Sequence, residues 1–366
     1  MMMRSSLAHW RWIPLLLALA ALLVGCTGLT DPNATTDAPG STTTAVPCAA
    51  NCTPGVGIQE ATLVVQPDAK AAPVVNAIRN AQHSVNLEIY LLTETNVIHA
   101  LEDAANRGVN VQVMLEAHPV GSGSVTPQET LAALNAAGVK AQPANPTFAL
   151  THAKLLLIDG QTAYISTGNF TKTALGGSSA SADRDYLIVD TNAADVAECN
   201  AIFAADWGRT TPQVSDPNLV VSPVNARAKL LSLINGAKQS LHIEEEEMKD
   251  AEIIAALGAA AQRGVNVQVV VPKPTSSNNS DAKGEQELMN LSVHVVQVND
   301  RVGHNPYIHA KIIIADGTLA YVGSVNVSAQ SMNRNREVGV LVANANVIQQ
   351  LDASFAQDYG SGTSPN

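Results

Sequence analysis

The chain of 366 residues has few aromatic and few charged side chains, and its charges are mostly acidic. Aromatic residues make up 4% and charged residues 14% of the sequence, and 21 Lys and Arg stand against 32 Asp and Glu. Sequence-independent nucleic-acid binders need a basic surface for the phosphates and aromatic rings for base stacking. The sequence has no run of lysines or arginines. The composition therefore disfavours a nucleic-acid partner, although it is compatible with a local basic groove.

The amino terminus carries a short apolar run, and no apolar run long enough to span a bilayer follows it. The run extends from Ile13 to Val24 behind Arg4 and Arg11, which predicts an export signal rather than a spanning helix. It ends in Leu-Val-Gly-Cys, which resembles the bacterial lipobox. We therefore expect a signal peptide over 1–25 and lipidation of Cys26, with an ordinary signal peptide as the alternative. Lipidation would hold the exported protein on the outer face of the cell membrane or on an outer membrane.

Residues 26–54 are rich in Thr, Pro and Ala and predict a flexible linker, because such a segment cannot bury a core. Export allows disulfides, and three cysteines remain beyond Cys26. Cys48 and Cys52 can close a small ring, or one of them can pair with Cys199. Cys-x-x-x-Cys without further ligands does not predict a zinc site, so we expect no metal and no cofactor.

The rest of the chain is an internal repeat. ANRGVNVQVM at 105–114 returns as AQRGVNVQVV at 261–270, and Val65-Gln66-Pro67 returns as Val221-Ser222-Pro223 at the same offset. A repeat of this length indicates duplication of a whole domain. We predict domain 1 over 55–212 and domain 2 over 213–366, a pseudo-twofold pair that can face each other through the same surface.

Each half alternates apolar strands with helical patterns. In the first half we predict a strand over 84–92, a helix over 96–106 and a strand over 109–115. This alternation predicts parallel strands joined by crossover helices. The expected fold class is α/β, with two pseudo-symmetric α/β sandwich domains.

Both halves contain the pattern His-x-Lys-x-x-x-x-Asp, with His152, Lys154 and Asp159 in the first half and His309, Lys311 and Asp316 in the second. Residues i and i+2 of an extended segment share a face, so each histidine points the same way as its lysine. Two histidines and two lysines that converge indicate chemistry at a phosphate. Two separate sites, or one inactive copy, are the alternatives, and the retention of all three residues in both halves argues against decay.

These paired motifs resemble those of the phospholipase D superfamily, and the resemblance covers residues 60 to 360. The matching positions outside the motifs are Asn169 and Asn326, Arg184-Asp185 and Arg336-Glu337, and Glu88 and Glu244. The family usually has Gly-Ser/Thr-x-Asn at the asparagine. The second half fits this pattern with Gly323-Ser324, whereas the first half departs from it with Ser166-Thr167-Gly168.

The resemblance implies one active site at the interface of the two domains, without a metal. The implied residues are catalytic His152, Lys154, Asp159, His309, Lys311 and Asp316, substrate-binding Asn169 and Asn326, and histidine-orienting Asp185 and Glu337. By analogy His152 is the nucleophile, His309 is the general acid and base, and the lysines and asparagines hold the phosphate oxygens. The motif aspartates directly precede glycines, so a structural role at the turn is the plainer interpretation. The acidic run at 244–247 is interpreted as a solvated loop end, with Glu244 as the exception.

The function implied is hydrolysis of phospholipids to phosphatidic acid and a head-group alcohol through a phosphohistidine, with or without transphosphatidylation. The alternatives are an extracytoplasmic nuclease of the same superfamily and a cardiolipin synthase-like phosphatidyltransferase, which normally has membrane-spanning helices. A lipid- or phosphate-binding protein without catalysis is a further class, and the intact motifs argue against it. We expect a monomer that acts on phospholipid and meets the membrane surface through its lipid anchor.

Overall fold

The computed structural model describes residues 55–120, 126–176, 182–274, 281–300 and 303–365. The predicted signal peptide, the lipidation site at Cys26, the linker, and Cys48 and Cys52 lie outside the described residues. Cys199 is described, and it is a fully buried free thiol.

The first half begins with a strand and ends with a long helix. Its elements are β1 (Ala61–Gln66), α1 (Ala72–Asn80), β2 (Ser84–Ile89), α2 (Thr95–Asn106), β3 (Asn110–Leu115), α3 (Pro127–Ala136), β4 (Lys140–Pro143), β5 (Lys154–Ile158), β6 (Thr162–Ser166), β7 (Asp183–Asp190) and α4 (Ala193–Trp207).

The second half repeats this order with one additional short strand and one additional short helix. Its elements are β8 (Leu219–Ser222), α5 (Ala226–Gly236), β9 (Ser240–Glu245), α6 (Ala251–Gln262), β10 (Asn266–Pro272), α7 (Ala282–Asn290), β11 (His294–Val298), β12 (Tyr307–Ile308), β13 (Lys311–Ala315), β14 (Leu319–Gly323), α8 (Ala329–Asn333), β15 (Glu337–Val342) and α9 (Ala345–Ser361). Among the helices that the structure describes, none is both long enough and apolar enough to cross a membrane.

Strand β2 is shorter than the predicted strand over 84–92, and the residues that leave it enter the site described below. The backbone N–H groups of Thr93 and Glu94 donate to the carbonyl of Phe170 instead of to a neighbouring strand. The Glu94 carboxylate then caps α2 by accepting from the backbone N–H of Asn96. The polypeptide therefore turns out of the sheet at Tyr90.

Each half forms one mixed sheet. The first has the order β1-β7-β6-β5-β2-β3-β4, with β12 of the second half added alongside β7, and the second has the order β11-β10-β9-β13-β14-β15-β8. The predicted parallel pairs are found between β2, β3 and β4. The motif strand β5 instead runs antiparallel to β2, and β13 runs antiparallel to β9. The α/β fold class is thus confirmed, with an antiparallel part in each sheet.

The two sheets pack face to face through the strands that carry and follow the motifs. One continuous core joins Leu155, Leu157 and Ile165 of the first half to Ile312 and Val322 of the second, all fully buried. Each sheet buries its other face against its own helices. The described residues therefore form one compact unit, and the surface shared by the halves is its interior.

Candidate active site

The segment that enters each motif is hydrogen-bonded to the other half. The backbone N–H of His152 donates to the carbonyl of Arg336 at 2.8 Å, and the N–H of His309 donates to the carbonyl of Arg184 at 3.3 Å. In both cases the arginine directly precedes an acidic residue, Glu337 or Asp185. The backbone pairing therefore sets each histidine beside the carboxylate of the opposite half.

The resulting histidine–carboxylate pairs are exchanged between the halves. His152 Nδ1 lies 2.9 Å from Glu337 Oε2, and His309 Nδ1 lies 2.9 Å from Asp185 Oδ1. A carboxylate at Nδ1 fixes the tautomer and orientation of an imidazole and leaves Nε2 for chemistry. Each half thus supplies one histidine and the carboxylate that orients the histidine of the other half. Neither half contains a complete pair by itself.

Further polar groups hold these carboxylates in place. Glu337 Oε1 accepts from the Ser331 hydroxyl at 2.6 Å and from the Asn335 amide at 3.1 Å. Asp185 Oδ1 accepts from the Thr167 hydroxyl at 2.6 Å. Gly168 gives Asp185 its space, because a Cβ there would lie 2.3 Å from Asp185 Oδ2. The glycine by which the first half departs from the usual family pattern therefore leaves room for the Asp185 carboxylate.

Both motif lysines are buried beside their histidines. Lys154 Nζ donates to the carbonyl of His152 at 2.6 Å, and Lys311 Nζ donates to the carbonyl of His309. Burial lowers the pKa of Lys154 to about 7. Burial also acts to lower the pKa of Lys311, but the carboxylates of Glu246 and Asp185 raise it above its ordinary value. The two sides of the site therefore differ in charge.

The histidines differ in the same sense. Burial lowers the pKa of His152 in spite of the Glu337 carboxylate. Burial acts in the same direction on His309, but Asp185 and Glu246 together raise its pKa above the ordinary value. Relative to a free imidazole, the arrangement therefore favours the neutral form of His152 and the protonated form of His309.

Asn169 and Asn326 lie in the cleft between the halves. The cleft has a volume of about 1070 Å³, and His152, His309, Tyr90 and Glu246 also line it. The Oδ1 atoms of both asparagines are buried without a hydrogen-bond partner in the described residues. Buried amide oxygens normally accept a hydrogen bond, so these two atoms are available to a donor group of a bound ligand.

The motif aspartates lie away from the cleft, at the far ends of the motif strands. The Asp159 carboxylate accepts from the backbone N–H groups of Gln82, His83 and Ser84 at 2.7–3.2 Å. Asp316 accepts in the same way from the backbone at 238–240. These backbone contacts join the turn after each motif strand to the start of β2 or β9, which is a structural role.

The acidic run at 244–247 is not the solvated loop end that the sequence suggested. Glu244 and Glu245 are fully buried on β9, and Glu244 accepts from the Tyr186 hydroxyl of the first half at 2.9 Å. Glu246 Oε2 lies 2.8 Å from Lys311 Nζ and 3.5 Å from His309 Nε2. The run was misread because the partners of its carboxylates lie on distant segments.

Tyr90 is the counterpart of Glu246 in the first half, and it too was missed. Its ring meets the His152 ring edge-on, with the ring centroids 4.8 Å apart. Both residues directly follow the equivalent strands β2 and β9. Aligning the repeat across the site would have drawn attention to this position, where the two halves place different chemistry.

Two repeats whose histidines and carboxylates are exchanged across a shared cleft agree with the phospholipase D-like arrangement that the motifs suggested. The chain belongs to the family described as "Cardiolipin synthase, PLD-like domain", which matches residues 74–207 and again residues 230–359. It is thereby a member of the phospholipase D superfamily of enzymes.

Individual relatives agree with this membership. The chain is 24% identical over 329 residues to the cardiolipin synthase of Geobacillus thermodenitrificans, a match that covers 79% of this chain and 64% of the relative. The chain therefore spans less than two thirds of that enzyme. A similar match, 25% identical, relates 82% of this chain to 68% of the cardiolipin synthase of Listeria monocytogenes.

Among solved structures, the phosphatidylserine synthase of Haemophilus influenzae resembles the chain with a TM-score of 0.66 at 13% identity, covering 85% of this chain and 88% of that one. At this level of identity the likeness supports the two-repeat fold alone.

Proposed function

We propose that the chain transfers a phosphatidyl group from a phospholipid to an alcohol acceptor through a covalent phosphohistidine. The observation that carries the proposal is the exchanged pair of histidines, each held by a carboxylate of the other half above one cleft. The family membership and the cardiolipin synthases among the relatives favour transfer over hydrolysis.

In the first step, the Nε2 lone pair of His152 attacks phosphorus. The bond between phosphorus and the leaving alcohol breaks, and His309 gives its Nε2 proton to the departing oxygen. A neutral imidazole suits this attack, because a phosphodiester repels anionic nucleophiles. The environment that lowers the pKa of His152 keeps it neutral at neutral pH.

In the second step, the hydroxyl oxygen of the acceptor attacks the phosphohistidine. It loses its proton to His309, and the bond between phosphorus and His152 Nε2 breaks, which restores both histidines. A lipid or polyol hydroxyl as acceptor gives a new phosphodiester, whereas water gives phosphatidic acid. The two outcomes share every step before this one, so the acceptor alone separates the transferase from the phospholipase.

Lys154, Lys311, Asn169 and Asn326 would bind the non-bridging oxygens of the phosphate. Lysine and amide donors in a buried site stabilise the charge that develops on these oxygens. The predicted lipid anchor at Cys26 would keep the cleft beside its lipid substrates, and it remains a prediction. The acidic composition argues against a polyanionic nucleic acid in the same cleft.

The test supplies the protein with vesicles of phosphatidylglycerol in EDTA and follows free glycerol and cardiolipin. Phosphatidylcholine and phosphatidylethanolamine vesicles, single-stranded DNA and duplex DNA are parallel substrates, and His152→Ala is the control. We expect cardiolipin and glycerol in equal amounts, dependent on His152. Phosphatidic acid with free head group would make the protein a phospholipase instead, and DNA cleavage without lipid turnover would contradict a lipid substrate.

A further inference from the structure

The cleft is built from two repeats, yet its two sides differ in chemistry at the position that directly follows β2 and β9. Tyr90 follows β2 and stands beside His152, whereas Glu246 follows β9 and stands beside His309. Symmetry alone would make either histidine a suitable nucleophile. The difference between Tyr90 and Glu246 removes that equivalence.

On the first side, the neighbour of the histidine is uncharged. The Tyr90 ring meets the His152 ring at 71°, and Lys154 Nζ lies 5.5 Å from the centre of the Tyr90 ring. The Tyr90 hydroxyl accepts from the backbone N–H of Val120 at 2.7 Å and is thereby held in place. This side buries His152 without adding a second carboxylate to the one at Nδ1.

On the second side, Glu246 gives His309 a second carboxylate. Its Oε2 atom lies 3.5 Å from His309 Nε2, which is longer than a hydrogen bond. The same atom is bound to Lys311 Nζ at 2.8 Å, and the Glu246 side chain is 23% exposed. The carboxylate is therefore anchored by the lysine close enough to stabilise an imidazolium, while the Nε2 proton stays available to a leaving oxygen.

We propose that Glu246 is a positioning residue that holds His309 in its protonated form and thereby fits it to protonate the leaving alcohol. This inference rests on the proposed function, because it adds to that reaction a residue that sets the direction in which it runs through the histidine pair.

The charged groups around His309 agree with this direction. Asp185 and Asp183 face it from β7, Glu246 faces it from the segment after β9, and Lys311 faces it from its own strand. Around His152 the facing charges are Glu337, Lys154 and Lys311, and Glu246 interacts with His152 less strongly than with His309. The His309 side of the cleft is thus the more acidic of the two, and Glu246 is the carboxylate closest to the reacting nitrogen there.

The first test is the pH profile of kcat/KM for head-group release, compared between the wild type and Glu246→Gln. The basic limb of the profile reports loss of the proton from the acid, and the acidic limb reports protonation of the nucleophile. Removing a negative charge within 4 Å of His309 lowers its pKa, so the basic limb should move to lower pH by about one unit. The acidic limb should move less.

Glu246→Tyr, which copies the first half, should shift the basic limb in the same direction. Glu247→Gln is the matched control, because the Glu247 carboxylate is paired with Lys249 at 3.4 Å instead of with a histidine, and its basic limb should stay in place. An unmoved basic limb in both Glu246 variants, or movement of the acidic limb instead, overturns the role of Glu246. If the wild type itself shows no turnover that depends on the two histidines, the proposed function is contradicted, and the role of Glu246 with it.

A trapping experiment tests the direction independently. Bis(p-nitrophenyl) phosphate releases a phenolate that needs no proton, so an enzyme without its acid can still complete the first step. His309→Ala should therefore accumulate a phosphoryl adduct on His152, detected by mass spectrometry at alkaline pH. An adduct on His309 in the His152→Ala variant, with none on His152 in His309→Ala, would reverse the assignment.

Discussion

The Glu337 carboxylate connects one histidine to two further side chains at once. It is fully buried, it faces His152 Nδ1, and it accepts from Ser331 and Asn335. Glu337→Gln keeps the size of the side chain but removes the charge that fixes the His152 tautomer, so kcat should fall by roughly 10²-fold or more. Steady-state kinetics beside a thermal unfolding curve would check this, and unchanged kcat in a folded variant would contradict it. Ser331→Ala removes one hydrogen bond to Glu337 and the acceptor of the Asn326 backbone N–H but leaves the Glu337 charge in place, so it should have a smaller effect.

For Asp159 we expect the opposite result: its replacement should lower the stability of the fold but leave the chemical step unchanged. It has a positive φ of 53° and binds three backbone N–H groups at the start of β2. Asp159→Ala removes these bonds and strains the backbone, and should cost about 2–3 kcal/mol of unfolding free energy. Asp159→Asn tolerates this φ and keeps an acceptor, so it should cost less. Urea unfolding measures both, and a loss of turnover without a loss of stability would return Asp159 to the catalytic group.

The same carboxylate gives a pH dependence with a defined sign. Burial acts to raise the pKa of Asp159, but the backbone N–H groups of Gln82, Ser84 and His83 lower it below the ordinary value. A carboxylate whose pKa is lower in the folded than in the unfolded protein stabilises the fold at pH values above the unfolded pKa of about 3.9. This stabilisation is lost as the pH falls through the native pKa. The difference in stability between the wild type and Asp159→Ala should therefore shrink below about pH 4. A difference that stays constant down to pH 2 would contradict this origin.

The sequence predicted some residues of the site better than others, for physical reasons. The motif residues and the two asparagines recur in both halves, so repetition alone selects them. Asp185 and Glu337 follow from the resemblance, but nothing in the sequence says that each faces the histidine of the opposite half, because two equivalent copies give no preference. Glu246 leaves no repeated signal, since its counterpart is Tyr90.

Strand β15 and helix α4 are linked across the halves by a buried ion pair. Arg336, which directly precedes β15, donates to Asp206 on α4 at 3.0 Å and to the carbonyl of Ser222 at 2.8 Å. The repeat places the reciprocal pair between Arg184 on β7 and Asp358 on α9, at 2.5 Å. Each half therefore holds the last helix of the other beside the strand that carries its histidine-orienting carboxylate.

Removing one partner of such a pair leaves a buried charge without compensation. Asp206→Ala should lower the free energy of unfolding by about 3–5 kcal/mol, and adding Arg336→Met should recover part of the loss because the lone guanidinium is gone. Denaturant unfolding of Asp206→Ala, Arg336→Met and the double variant gives the coupling energy. A loss in the double variant equal to the sum of the two single losses would mean that the ion pair does not connect the two elements energetically.

The order of elements in each half was predictable, whereas the direction of the motif strands was not. β2, β3 and β4 are parallel, as the alternation of strands and helices requires. The connection over 144–153 that leads to β5 has no helical pattern, so the sequence does not show that β5 returns antiparallel beside β2. Because β5 returns beside β2, His152, two residues before β5, lies against the opposite half, where the site forms.

The two halves, as far as the structure describes them, enclose one site, because their sheets share a core and exchange the partners of their histidines. His152→Ala and His309→Ala should therefore each lower turnover by roughly 10³-fold or more, since one reaction needs both residues. A chain with two independent sites would instead keep about half of its activity in either variant. Mixing the two variants in equal amounts adds a second test: if the chain is the monomer that we expect, no complete site can form and the mixture should stay inactive. Recovery of up to a quarter of the wild-type rate would show that chains exchange halves, and the mass of the mixed species in solution would then distinguish a swapped dimer from the monomer.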